Sequence, residues 1–119
     1  MNESPIEFDT VLDLCRDQHR RIVLAVLAEE KRSLTVNDLT KTILKYNHQT
    51  PVTEVSEEIL TEIRLSLDRV HIPKLESVGV IEYDPERQHA KPADRFDQLQ
   101  PYLSAIVDLD LTLEEPIEL

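Results

Sequence analysis

The side chains best suited to chemistry in this chain are bases, and they fall in two groups. Arg64, Arg69 and Lys74, together with the carboxylate of Asp68, lie along one long helical pattern. Arg87, His89, Lys91 and Arg95 follow shortly after, in a stretch where Asp94 is the only acid. Bases in an extended segment suit phosphate oxygens. An arginine on an exposed helix, here Arg69, suits the acceptor edge of guanine. The plain alternative is a set of solvated side chains, with Arg64 and Asp68 as an i,i+4 surface pair.

Other chemistries find less support. His71 follows Val70 directly, which places it at the edge of a core with one ring nitrogen satisfied; phosphate contact and pH sensing are the alternatives. The histidines at 19, 48, 71 and 89 show no paired ligand spacing, so no metal site is expected. A single cysteine, Cys15, excludes an internal disulfide and a thiolate metal sensor. It reads as a small buried hydrophobe. There is no glycine-rich phosphate loop, nucleophile motif or HExxH. No catalytic residue and no cofactor is expected, and the chain is not read as an enzyme.

The elements that must position these bases follow from apolar spacing. Residues 1 to 7 are polar and read as a loose N-terminus. Phe8, Val11, Leu12 and Cys15 recur at helical spacing. Asp17 is placed to cap a second helix with Ile22, Val23, Val26 and Leu27 on its buried stripe. Thr35 and Asp38 form a variant capping box for a third, with Leu39, Ile43 and Tyr46 on one face. It should stop near His48, ahead of Pro51.

Ser56 or Thr53 starts the longest helix, whose core face is Ile59, Leu60, Ile63, Leu67, Val70 and Leu75. Pro73 inside it predicts a bend. Gly79, the sole glycine, supplies the left-handed residue that ends it. Val80 to Tyr83 reads as a strand, DPER as a turn, and Gln88 to Lys91 as the return strand. Asp94 is placed to cap a last helical region, which Pro101 divides in two. The expected layout is a domain over 8–95, a C-terminal helical region over 96–109, and an acidic tail over 110–119.

The whole chain carries 24 acids against 13 bases, of which five are lysine, for a formal net charge of −11. The acids are dispersed rather than gathered in one block. Such a surface repels itself at low salt and is comfortable where salt screens it. A cytoplasm at very high salt is the favoured reading; an ordinary acidic protein with a basic partner is the other. Hydrophobic residues make up 40% but aromatics only 4%, so aliphatic side chains must build the core. The acidic start, MNESPIEFD, has no apolar run, and no segment reaches the 18 or so apolar residues of a membrane span. A soluble, cytoplasmic protein is expected.

Helix, helix, helix, strand, turn, strand is the order of a winged helix-turn-helix. HRRIVLAVL at 19–27 and SLTVNDLTKTI at 33–43 resemble the first and second helices of regulators of the ArsR-like type. SLDRVHIPKLESVGVIEYD at 66–84 resembles their recognition helix, closing glycine and first wing strand. More narrowly, His71, Ile72, Pro73, Lys74, Leu75, Gly79, Glu82, Tyr83 and Asp84 resemble the pattern of an uncharacterised winged-helix family of halophilic archaea. The resemblance implies an α+β, mainly α fold: a three-helix core, a β-hairpin wing and a C-terminal helix.

It also implies a DNA-binding transcriptional regulator. The third helix would enter the major groove and the wing would touch phosphates of double-stranded DNA. A homodimer is expected, with Phe96, Leu99, Leu103 and Ile106 as its surface; packing of that stripe onto its own domain is the alternative. The second functional reading is a winged-helix module that binds another protein and no DNA. The sign of charge over the third helix and wing discriminates the two.

Overall fold

A computed structural model describes residues 5–48 and 55–110. The expected link through Pro51, the Thr53 start and the acidic tail beyond Asp110 lie outside the described residues. The fold is α+β and mainly helical, and its layout is compatible with the winged-helix expectation. The helices are α1 (Phe8–Cys15), α2 (Gln18–Glu30), α3 (Val36–Ile43), α4 (Glu57–Ser66), α5 (Ile72–Ser77) and α6 (Phe96–Leu109). The strands are β1 (Leu34–Thr35), β2 (Ile81–Asp84) and β3 (His89–Pro92).

Local chemistry starts α2, α3 and α4 as the residue types dictate. The Asp17 carboxylate accepts from the amides of His19 and Arg20 at 2.8 and 3.2 Å. Thr35 and Asp38 exchange both capping-box bonds at 3.0 and 3.3 Å. Ser56 Oγ accepts from the Ile59 amide at the start of α4. Each such cap satisfies amides that the first turn leaves unpaired, and is worth about 1 kcal/mol.

The hairpin β2–β3 is antiparallel, with Glu82 opposite Lys91 and Asp84 opposite His89. The short β1 pairs with β3, so the sheet order is β1-β3-β2. That strand was not legible in the sequence, because two residues carry no period. Asp84 Oδ1 accepts from the amides of Glu86 and Arg87, which closes the turn. Gly79 has φ +82, and a Cβ there would sit 3.3 Å from Arg95 Cδ. Both facts favour glycine at the exit from α5.

α6 packs on α1 and α2. Aliphatic side chains from every helix fill the core, including Leu14, Ile22, Leu39, Leu67, Ile72, Leu75 and Leu99. Each contributes about 1.5–3 kcal/mol on burial.

Several expectations are corrected. Ile6 is buried and its amide donates to Gln98 Oε1 at 2.6 Å, so the chain is tied down before Phe8. In α1, Leu14 faces the core while Phe8 and Leu12 face out. α6 runs through Pro101 without dividing, and Arg95, with no side-chain cap, stands where Asp94 was expected. Phe96, Leu99 and Leu103 are buried in the chain's own core. That leaves them no surface for a partner, because the small α1–α2–α6 layer needs them to close itself.

The largest correction concerns the long helix. Between α4 and α5, Leu67–His71 winds as a π-helical turn, and the Ile72 amide bonds to the Leu67 carbonyl. Pro73 then falls in the first turn of α5, where its missing amide costs little. The extra residue in the wide turn shifts the helical phase. Val70, expected inside, is 52% exposed, and His71 and Ile72 take the inward positions.

Candidate functional site

The described residues hold two places where polar side chains converge. One is buried beneath α1, α2 and the π turn. The other is open, between α3, α4 and the hairpin.

The buried place is organised by Arg20, which residue type and spacing gave no role. Its guanidinium donates through Nε to the Leu14 carbonyl at 2.9 Å and through Nη2 to the Asp13 carbonyl at 2.9 Å. Arg21 donates through Nη1 to the carbonyls of Cys15 and Arg16, and its Nε pairs with Asp110 at 2.9 Å. The two arginines thus satisfy the carbonyls that the end of α1 leaves unpaired. The only available signal was the adjacency of two arginines to a helix end lacking its own basic residue.

The Nη1 of Arg20 lies 3.3 Å from His71 Nδ1. A guanidinium only donates, so Nδ1 accepts and the ring proton sits on Nε2. That nitrogen faces Asp17 Oδ1 at 3.8 Å. Burial holds the His71 imidazole below its usual pKa; Asp17 opposes this and Arg20 reinforces it. The Asp17 carboxyl, although burial raises it, ends below its usual value through the Arg20 amide and the nearby His71 and Arg20 charges. Burial pushes the Cys15 thiol up, away from its reactive form.

The fold also brings His19 beside His71, with ring centroids 6.0 Å apart. Donor atoms of Asp17, His19 and His71 lie within 4.8 Å of one another, a closeness that sequence spacing did not reveal. The Arg20 bond works against a cation there. It occupies the second nitrogen of His71 with a donor, where a metal-bound histidine needs an acceptor. The cluster reads as a network that orients α1, α2 and the π turn.

Lys74 belongs to this side as well. Its Nζ lies 2.6 Å from Asp13 Oδ2, and this bond draws the Asp13 carboxyl below its usual pKa. It therefore faces α1, away from the other bases of its helix, which corrects its place in the expected DNA set.

The open place gathers most of the remaining residues of that set. A groove of about 400 Å³ is lined by Val36, Asn37, Arg64, Leu65, Asp68 and Gln88. A neighbouring hollow of about 330 Å³ lies against Tyr83, Arg87, His89 and Lys91. Burial, and then the charge of Asp68 in the π turn, raise the Tyr83 hydroxyl. Arg64, Arg69, Arg87 and Lys91 are exposed. Lys91 pairs with Glu82 at 3.5 Å, an exposed contact worth little.

Two other expected contacts fare differently. His89 Nδ1 is buried with no hydrogen-bond partner among the described residues, so that nitrogen is turned away from any phosphate. Arg95 folds back to donate to the Val78 carbonyl at 3.2 Å, behind the hairpin. The face is mixed in sign: Asp68, Glu82 and Asp84 line it together with Arg64, Arg87 and Lys91, while Arg69 is exposed but lines neither hollow. Among the described residues, no helix is long and apolar enough to cross a membrane.

No curated protein and no solved structure matches the chain. A family model does match, over residues 12–91, which run from α1 through the π turn to the hairpin. The chain belongs to that family, DUF7344, described as a domain of unknown function.

Proposed function

We propose that this chain is a DNA-binding transcriptional regulator of the winged helix-turn-helix type, working in the salt-rich cytoplasm of a halophile. The observation that carries the reading is the sheet order β1-β3-β2 with α3 and α4 leading into the hairpin. This order leaves the outer side of α4 exposed beside the hairpin turn, which is how a recognition helix and a wing meet a duplex. Arg64 and Arg69 face the major groove, and Arg87 and Lys91 meet phosphates. The net charge of −11 does not forbid this. At 1 M salt the Debye length is about 3 Å, so the local face decides and not the whole surface. Counterion release contributes little there.

The homodimer is proposed on the outer side of α1 and α6. The rings of Phe8 and Tyr102 meet there at a tilt, with centroids 5.8 Å apart, and Leu12 and Leu109 are exposed. Occupancy across the genome of a salt-adapted host tests the function, with a tagged chain and a variant carrying alanine at Arg64, Arg69, Arg87 and Lys91. Sharp peaks that vanish in the folded variant are expected.

A second reading is a protein-interaction module. It is favoured by exposed Leu65 and Val70 on the α4 side and by the acids among the hairpin bases. A flat profile from a folded, abundant chain selects it.

A further inference from the structure

We propose that the cleft between the end of α2 and the start of α6 binds a small organic carboxylate with an apolar body. The cleft holds about 420 Å³, within the usual size of small-molecule sites. Half-buried Ala28 and Pro92 form its apolar part, over the buried side chains of Leu27 and Phe96. Lys31, Arg32 and Lys91 line its polar part, with Asp97 as the one acid. In a chain of 24 acids and 13 bases, a lining of three bases and one acid repels an anion less than most of the surface does.

The rim is built so that its charges are available. Lys31 ends α2 in the left-handed region at φ 57, where glycine is the usual residue. Its amide is fixed to the Leu27 carbonyl at 2.9 Å, so its side chain starts from a set point on the rim. Among the described residues its ammonium pairs with no carboxylate. Arg32 holds a long, exposed pair with Glu30 at 3.4 Å and donates to the Ser33 carbonyl at 3.2 Å, and Lys91 holds a long, exposed pair with Glu82 at 3.5 Å. A ligand carboxylate can replace such pairs at little cost. The apolar part rewards a ligand with a hydrocarbon or aromatic body over a bare inorganic anion. The proposal does not rest on the DNA reading.

Titration of the full chain with 1-naphthoate, followed by backbone amide NMR shifts, tests it. Saturable shifts confined to residues 27–33 and 91–97 are expected. The uncharged analogue 1-naphthalenemethanol should bind about tenfold more weakly. The double variant Lys31→Gln, Lys91→Gln should bind naphthoate as weakly as the wild type binds the alcohol. Absent or unsaturable shifts, shifts that map elsewhere, equal affinity for acid and alcohol, or full affinity in the variant each overturn the proposal.

Discussion

The two sides of the rod formed by α4, the π turn and α5 carry similar side chains and use them in opposite ways. On the inner side, Arg20, His71, Asp17, Lys74 and Asp13 bond to one another or to the end of α1. On the outer side, Arg64, Arg69, Arg87 and Lys91 remain exposed. A buried charge must be satisfied where it stands, because an unpaired one costs several kcal/mol. An exposed charge is held by water and stays available for a partner. The inner set is therefore expected to govern stability, and the outer set recognition.

The largest effect should come from breaking the inner set at its centre. Arg20→Met removes three bonds and leaves the Leu14 and Asp13 carbonyls without their donor. Chemical denaturation at fixed salt should show a loss of about 3 kcal/mol or more. A loss near zero would mean that the cluster does not hold α1 to α2.

A second, smaller effect should appear on acidification. His71 is held below its usual pKa of 6.5 by burial. As pH falls below about 6.5 the unfolded chain takes up a proton that the folded chain still refuses, so folding stability declines. The decline ends once the folded His71 also protonates. Asp17, held below its usual 3.8, adds a further loss in stronger acid. Stability measured from pH 7.5 to 5 should fall in the wild type and stay flatter in His71→Gln.

The smallest effects sharpen the contrast. Lys74→Met removes the Asp13 pair at the half-exposed rim of the inner set. It should destabilise less than either change above and leave genomic occupancy as it was. The four outer alanine replacements should change stability by under about 0.5 kcal/mol while abolishing occupancy. A larger loss of stability would show that the outer bases also hold the fold, and the division between the two sides would fail.

Much of this was legible along the chain. The caps at Asp17, Thr35 and Ser56 act on amides two or three residues away, so residue type and spacing suffice to find them. Gly79 was legible for the same reason, as a local demand on one φ angle. The outer bases were legible as a cluster because they lie close in sequence. What failed was phase. Helical periodicity placed Val70 inside, and the π turn ahead of Pro73 turned it out. Periodicity also put Phe8 and Leu12 on the core face of α1, which packing against α2 and α6 gave to Leu14. On α6, Phe96, Leu99 and Leu103 cover the chain's own core, the alternative that the stripe left open, since a stripe shows that a helix is covered and not what covers it.

The sequence by itself determined the order of the main helices, the caps of α2, α3 and α4, the hairpin and the dispersed acidic charge, all consequences of short-range chemistry. Only the tertiary structure decided which charges are inward and which remain available. Arg20 meets His71 across 51 positions of chain. That meeting depends on one extra residue in one helical turn, and on the cost of burying a guanidinium that finds no partner.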